Sequence, residues 1–219
     1  MKTLARRLLA CLVLAFLAAT ALPAIAAAPA GLKEGTDYET VSVGTFDPAD
    51  GRIEVVEVFG YTCGHCARLE PLIHPWSQRL PADVRFTPVP AAFGGFWDPW
   101  ARAYLAASQL GVAKASHQAV FAALHQQRSL PPSGVTPEQL GQFYSRFGVS
   151  SDAFQAALRG DQVQAQFQRV RKFAIDAQVA GTPTLIVNGK YRVLGNSFED
   201  MLRITDVLIA HERARNTRR

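Results

Sequence analysis

Cys63, Gly64, His65 and Cys66 set two thiols three positions apart, about one turn if a helix begins there. Sulfur at that spacing can hold a soft metal, staple the chain, or exchange electrons through a reversible bridge. The histidine between them adds a group that can be charged near neutral pH. Zinc wants four ligands. No cysteine follows residue 66, and His74, His117, His125 and His211 show no tight spacing. A staple across so short a loop constrains the unfolded chain little, and a chain of 219 residues can bury enough core to do without one. Redox exchange is the chemistry these residues suit best.

The N-terminus bears on the same question. Met1 to Arg7 is basic, Leu8 to Leu22 is almost wholly apolar, and Pro23 is followed by Ala24-Ile25-Ala26, with small residues where a signal peptidase reads. The apolar run is short for a membrane span, so residues 1–26 are expected to be a cleaved secretory signal, cut after Ala26 or Ala28. Cleavage removes Cys11 and leaves Cys63 and Cys66 as the only cysteines, in an oxidising compartment. It also removes Lys2, Arg6 and Arg7, so the formal charge of +5 falls by three to +2. With Arg213, Arg215, Arg218 and Arg219 crowded at the end as an expected solvated tail, no basic surface for nucleic acid is implied.

The elements that must position the thiols follow from periodicity. Tyr38 to Val43 alternates like a short edge strand. Ile53 to Phe59 (IEVVEVF) is β-branched and apolar on both faces apart from its glutamates, which reads as a central strand of a covered sheet. Glu57 shares a face with Ile53, Val55 and Phe59, so burial should raise its pKa, whereas Glu54 is expected to be exposed. A helix should open at Cys63 and run toward Gln78, kinked or interrupted by Pro71 and Pro75. Val84 to Val89 is the next strand, giving a parallel βαβ unit. Five helices are then expected: from Asp98-Pro99 to Leu110, Lys114 to Gln127, from Thr136 to Gly148, from Ser151 to Gly160, and Asp161 to Gln178. Thr184 to Val187 and Tyr191 to Leu194 flank Asn188-Gly189, a strong hairpin signal, and Ser197 caps a last helix to about Glu212. The predicted fold is α/β, a central mixed sheet with flanking helices. A first part spans 27–95, an inserted all-helical subdomain 96–165, and a second part 166–219. Trp76 is expected in the core. Phe93, Phe96, Trp97, Trp100 and Tyr104 are either core of the helical block or an apolar lip beside Cys63.

Three segments together resemble the thioredoxin fold, and within it the DsbA family of periplasmic thiol-disulfide oxidoreductases: Glu57-Val58-Phe59 leading to Cys63-Gly64-His65-Cys66, Gly181-Thr182-Pro183-Thr184, and Val187-Asn188-Gly189-Lys190-Tyr191. The helical block matches that family's insertion. The resemblance implies that Cys63, at a helix N-terminus, is the exposed nucleophile and that Cys66, more buried, resolves the mixed disulfide. It implies that His65 stabilises the Cys63 thiolate and that Glu57 exchanges protons with Cys66. Thr182-Pro183 should be a cis peptide facing the cysteines, with the Thr182 backbone free to pair with an extended substrate. Some relatives place a lysine opposite the buried acid; here the aligned position is Pro88, and Arg85 is a weak stand-in. The Gly64-His65 dipeptide departs from the Pro-His of the best-known members, which leaves the redox poise open.

The implied function is disulfide donation to exported proteins through a Cys63–Cys66 redox-active disulfide, with no other cofactor and no metal. A membrane-bound, quinone-linked reoxidase of the DsbB type is the implied partner, the periplasm the compartment and a monomer the working form. Two alternatives stand beside it. One is an isomerase or reductase of the same compartment, which the lack of a dimerisation segment before the first strand argues against. The other is a chaperone-like binder of unfolded chains in which redox chemistry is secondary.

Overall fold

A computed structural model describes residues 28–48 and 50–217; the expected signal segment 1–26 lies outside them. Five strands form one sheet in the order β1-β5-β4-β2-β3. They are β1 (Tyr38–Thr40), β2 (Ile53–Phe59), β3 (Val84–Pro90), β4 (Thr184–Val187) and β5 (Tyr191–Val193). β2 runs parallel to β3 and antiparallel to β4, so the sheet is mixed, as its two connection types require: a helical crossover from β2 to β3 and a tight hairpin from β4 to β5. Both central residues of that hairpin, Asn188 and Gly189, have positive φ (53° and 62°), the signature of a type I′ turn. A side chain at Gly189 would collide with the Gly44 backbone, because the segment leading out of β1 packs on the turn through Val43 N–H to the Gly189 carbonyl.

Helices cover both faces. Helix α1 (Gly64–Gln78) follows β2 and shares one face of the sheet with α7 (Phe198–Asn216). Ile53, Val55, Leu69, Ile73, Leu185, Ile204 and Leu208 form the core between them. The other face is covered by α2 (Trp97–Gln109), α3 (Ala113–Phe121), α4 (Pro137–Tyr144), α5 (Ser151–Arg159) and α6 (Asp161–Asp176). Their core takes in Val56, Val58, Val89, Trp100, Tyr144 and Phe154. Helix α3 continues into a π-turn at Ala122–Gln126. Helix α4 starts with a full capping box, Thr136 Oγ1 accepting from Gln139 N–H while the Gln139 side chain accepts from Thr136 N–H.

The expected element order is present, with local differences. Pro71 and Pro75 do not interrupt α1. Each proline removes one N–H bond, but the helix is held to the sheet by Leu69, Ile73 and Trp76, whose burial outweighs that loss. Trp76 is core, its indole N–H donating to Asp206 at 2.9 Å. The boundary expected at residue 165 falls inside the unbroken helix α6, which packs on α2, so the helical block grades into the sheet domain. The last arginines are not all a loose tail: α7 extends to Asn216, and Arg213 makes two hydrogen bonds to the Asp83 carboxylate. Positive side chains in a last helical turn are favoured by the unpaired carbonyls there.

Glu54 corrects the sequence reading most sharply. It is fully buried, not exposed. A strand covered on both faces offers no solvent side, so alternation could not expel it. Its carboxylate accepts from Phe46 N–H (2.5 Å), Asp47 N–H (3.1 Å), Thr87 Oγ1 (3.1 Å) and Arg85 Nη2 (2.9 Å). That clamp folds the β1–β2 connection against the sheet and occupies Arg85, which stands opposite Glu54 in the β2–β3 register and is therefore not a partner for Glu57. Removing one member of a buried charged network leaves the others unpaired. Glu54→Ala is thus expected to lower the unfolding free energy by about 3 kcal/mol in urea titration; a loss under about 1 kcal/mol would contradict the clamp.

Candidate active site

The site forms where β2 ends and α1 begins. Gly60 turns the chain out of the strand, Cys63 N–H bonds the Gly60 carbonyl at 3.0 Å, and Cys63 takes the N-cap position with extended φ, ψ of −83° and 116°. Its side chain therefore lies over the free N–H groups of the first turn, the positive end of the helix. Cys66, one turn on, points inward and is 1% exposed. Both are present as free thiols. The Thr182-Pro183 bond is cis, and the Thr182 carbonyl accepts from the Cys63 thiol at 3.3 Å, which brings a loop 119 residues away over the cysteine pair.

The two sulfurs sit in opposite environments. Cys63 is held down to a pKa of about 5, above all by the Cys66 thiol hydrogen-bonded to it, with the Thr182 side chain and the backbone N–H groups of Cys66 and His65 adding to the effect against partial burial. Burial pushes Cys66 far upward, reinforced by its hydrogen bond to Cys63 and by the charge of Glu57. Glu57 lies beneath them, 3% exposed, and is raised to about 8 by burial first, then by the charges of Glu70 and Cys63. The residue opposite it on β3 is Pro88, as the sequence alignment of the strands implied.

His65 is exposed, and its backbone N–H contributes to the lowering of Cys63. Gly64 is also exposed; a Cβ there would meet only Arg68 Nη1, at 4.0 Å, so the dipeptide is not forced by space. The aromatic run after β3 divides. Trp100 is core at 2% exposure, while Phe93 and Phe96 are 39% and 49% exposed and flank Trp97, whose ring stacks on Phe96. Gly60, which the sequence reading used only as a turn, makes room for that lip: a Cβ there would lie 2.2 Å from the Trp97 ring.

Other residues at the site were not legible as such. Glu70 lies one turn beyond Cys66 on α1 and is 7% exposed. His117, on α3, reaches it with Nε2 3.5 Å from Glu70 Oε2, and its Nδ1 is 3.0 Å from Tyr61 Oη. The i, i+4 spacing of Cys66 and Glu70 was a readable signal. Nothing local marks His117, which arrives from another helix.

The Cys63 shift fixes a pH dependence. Its folded pKa lies below the ordinary thiol value of 9.0, so ionisation stabilises the reduced fold fully above that value, and the contribution is lost as pH falls through about 5. The stability of the reduced over the disulfide form should therefore shrink as pH is lowered from 8 to 5, read by paired thermal melts, with thiolate absorbance at 240 nm titrating at a midpoint near 5. A midpoint above about 8 would contradict the geometry.

Comparison with known proteins follows the same lines. The model of the DSBA-like thioredoxin domain matches residues 73–204, a span that begins just past the cysteine pair and takes in the helical block, Thr182-Pro183 and the hairpin. The thiol:disulfide interchange protein DsbA of Pseudomonas aeruginosa is 38% identical over 203 residues, which cover 91% of this chain and 95% of that protein. Its namesake in Azotobacter vinelandii is 38% identical over 189 residues, 85% of this chain and 87% of that one. Among solved structures, the oxidoreductase DsbA from Xylella fastidiosa is 51% identical with a TM-score of 0.82, over 84% of this chain and 98% of that chain. Pseudomonas aeruginosa DsbA is 37% identical with a TM-score of 0.78, over 85% and 97%.

Proposed function

The chain belongs to the DSBA-like thioredoxin family, and from that premise we propose that it is a thiol:disulfide oxidoreductase that gives the Cys63–Cys66 disulfide away to reduced exported proteins. The observation that carries the direction of transfer is the unequal pair of sulfurs. A thiolate stabilised at Cys63 makes the dithiol form favourable, so the disulfide form is the stronger oxidant.

The placement of the groups supports the following steps. A substrate thiolate attacks Cys63 Sγ, the half-exposed sulfur. The Cys63–Cys66 bond breaks, and its electron pair goes to Cys66 Sγ, which is costly to leave charged in its buried position and takes a proton from Glu57. A second substrate thiolate then attacks the substrate sulfur of the mixed disulfide. The substrate leaves with a disulfide, and Cys63 leaves as the thiolate that its surroundings favour. His65, on the solvent side, adds positive charge near that thiolate when protonated. The Thr182 backbone, beside Cys63, offers an edge for an extended substrate chain, and Phe93, Phe96 and Trp97 offer apolar contact next to it.

The cysteine pair is proposed to be the whole redox equipment, with no further cofactor. Reoxidation needs an electron acceptor, proposed to be a membrane-bound, quinone-linked protein of the DsbB type. The proposed compartment is the periplasm, reached through the N-terminal signal, with the protein acting as a monomer.

Cys63→Ser should abolish oxidation of a reduced, unfolded substrate such as ribonuclease. Cys66→Ser should instead trap a mixed disulfide at Cys63, visible as a mass increase that dithiothreitol reverses. If Cys63→Ser retains full oxidising activity, or no adduct accumulates on Cys66→Ser, the exchange reading fails. Glu57→Gln cannot receive a proton from Cys66, so it should slow the Cys66-dependent step by about 10²-fold or more while leaving alkylation of Cys63 rapid.

A further inference from the structure

Glu57 must change its proton in each cycle. It gives one to Cys66 when the disulfide opens and has to take one back when Cys66 attacks, yet it is 3% exposed and β3 sets only Pro88 opposite it. A proton route between this carboxyl and solvent is therefore needed, and the residues that could form one lie on α1 and α3. Glu70, near enough to raise Glu57 by its charge, presents Oε2 to His117 Nε2 at 3.5 Å and Oε1 to His74 Nδ1 at 3.6 Å. Oε1 is buried with no hydrogen-bond partner, although the carboxyl carries two oxygens that want donors. The imidazole of His117 is held edge-on to Phe59, Tyr104 and Phe121 and tilted against Tyr61. In the tautomer whose Nδ1 accepts from the Tyr61 hydroxyl, 3.0 Å away, the ring proton sits on Nε2 and faces the Glu70 carboxylate. Packing of this kind holds a titratable ring in one orientation where a purely apolar side chain would fill the same space. Beyond Glu70 and His117 opens a groove of about 540 Å³, whose walls include both of them, His74, Tyr104 and Pro88.

We propose that Glu70 and His117 form a proton relay that connects Glu57 with the groove, His117 acting as a positioning and shuttling residue for the exchange reaction. In the reoxidising direction Cys66 loses its proton to the Glu57 carboxylate, its sulfur attacks Cys63 Sγ, and the group bound there leaves as a thiolate. Glu57 then passes the proton through Glu70 to His117 and the groove. In the oxidising direction the same route refills Glu57. No electron passes through the relay, and each proton taken from Cys66 appears in solvent. The ionisable surroundings are mixed in sign. Glu57 faces Cys63, Cys66, Glu70 and Tyr104; His117 faces Glu70, Tyr61 and Tyr104; Arg52, Arg85 and Lys114 stand farther out on the groove walls.

The proposal rests on the exchange reading, and the two fail differently. The test loads Cys63 with glutathione, using oxidised glutathione as probe, and follows glutathione release by Cys66 in a rapid-quench experiment from pH 5 to 9. In the unaltered protein, failure to release glutathione at all would sink the exchange reading itself. If the relay operates, His117→Ala slows release at least about tenfold, alters the shape of the pH profile, and is restored by added imidazole in proportion to its concentration, since the groove can admit it. Alkylation of Cys63 by iodoacetamide stays fast, because that step moves no proton through Glu57. Glu70→Gln, close to isosteric, is the second variant should His117→Ala fold poorly, and it should show the same slowing and the same altered profile. Release at the unaltered rate in both variants, or slowing with an unchanged pH profile and no response to imidazole, would overturn the relay and reduce His117 to a packing residue.

Discussion

The chemistry proposed for this protein depends on a difference in solvation between two sulfur atoms one helical turn apart. Cys63 lies at the N-cap of α1, over free backbone N–H groups and with the Cys66 thiol hydrogen-bonded to it. Cys66 lies inside, against the sheet and above a buried acid. A negative charge is therefore favoured on one sulfur and costly on the other, and a bond between them stores that difference. The same pair placed in the middle of a helix, or on a surface loop, would have two nearly equal thiols and little reason to release electrons in one direction.

Much of the fold exists to hold that difference in place. β2 is central, so its end is fixed by neighbours on both sides, and the turn at Gly60 starts α1 at a set position. β4 runs antiparallel to β2, which carries the Thr182-Pro183 loop to the same end of the sheet as Cys63. The helical block closes the other face and supplies Trp97, Tyr104 and His117 around the site. Glu54 shows that the sheet tolerates a buried charge where the backbone and Arg85 satisfy it. Glu57, three residues on, faces Pro88 instead and is left protonated near neutrality. Two glutamates in one strand thus sit in opposite settings, one in a structural clamp and the other, the proposed proton store, without a charged partner on β3.

How far the sequence led can be argued from these same residues. The cysteine pair, the buried Glu57, the Thr-Pro loop and the Asn-Gly hairpin were legible because each is a local pattern with a physical cause: helix start, strand alternation, turn chemistry. Helix limits were legible within a few residues for the same reason. Glu54 was misread because alternation assumes one wet face, and β2 has none. Arg85 could be assigned to Glu54 only once the parallel register was known. His117 and its place against Glu70 and Tyr61 depend on how α3 docks, which no spacing within one segment encodes. The aromatic run divided, since Trp100 turned inward and Phe93 and Phe96 outward.

The most direct measurement is the reduction potential of the Cys63–Cys66 pair in the mature protein, equilibrated in glutathione buffers and followed by tryptophan fluorescence. Trp97 against Gly60 and Trp100 beside Tyr61 make the signal sensitive to the state of the turn. If a stabilised Cys63 thiolate drives transfer, the potential lies above about −180 mV, and the disulfide is held less firmly than those of its substrates. A potential near about −270 mV, the range of a cytosolic reductant, would mean that the unequal sulfurs do not make the pair an oxidant, and the account would be wrong at its centre.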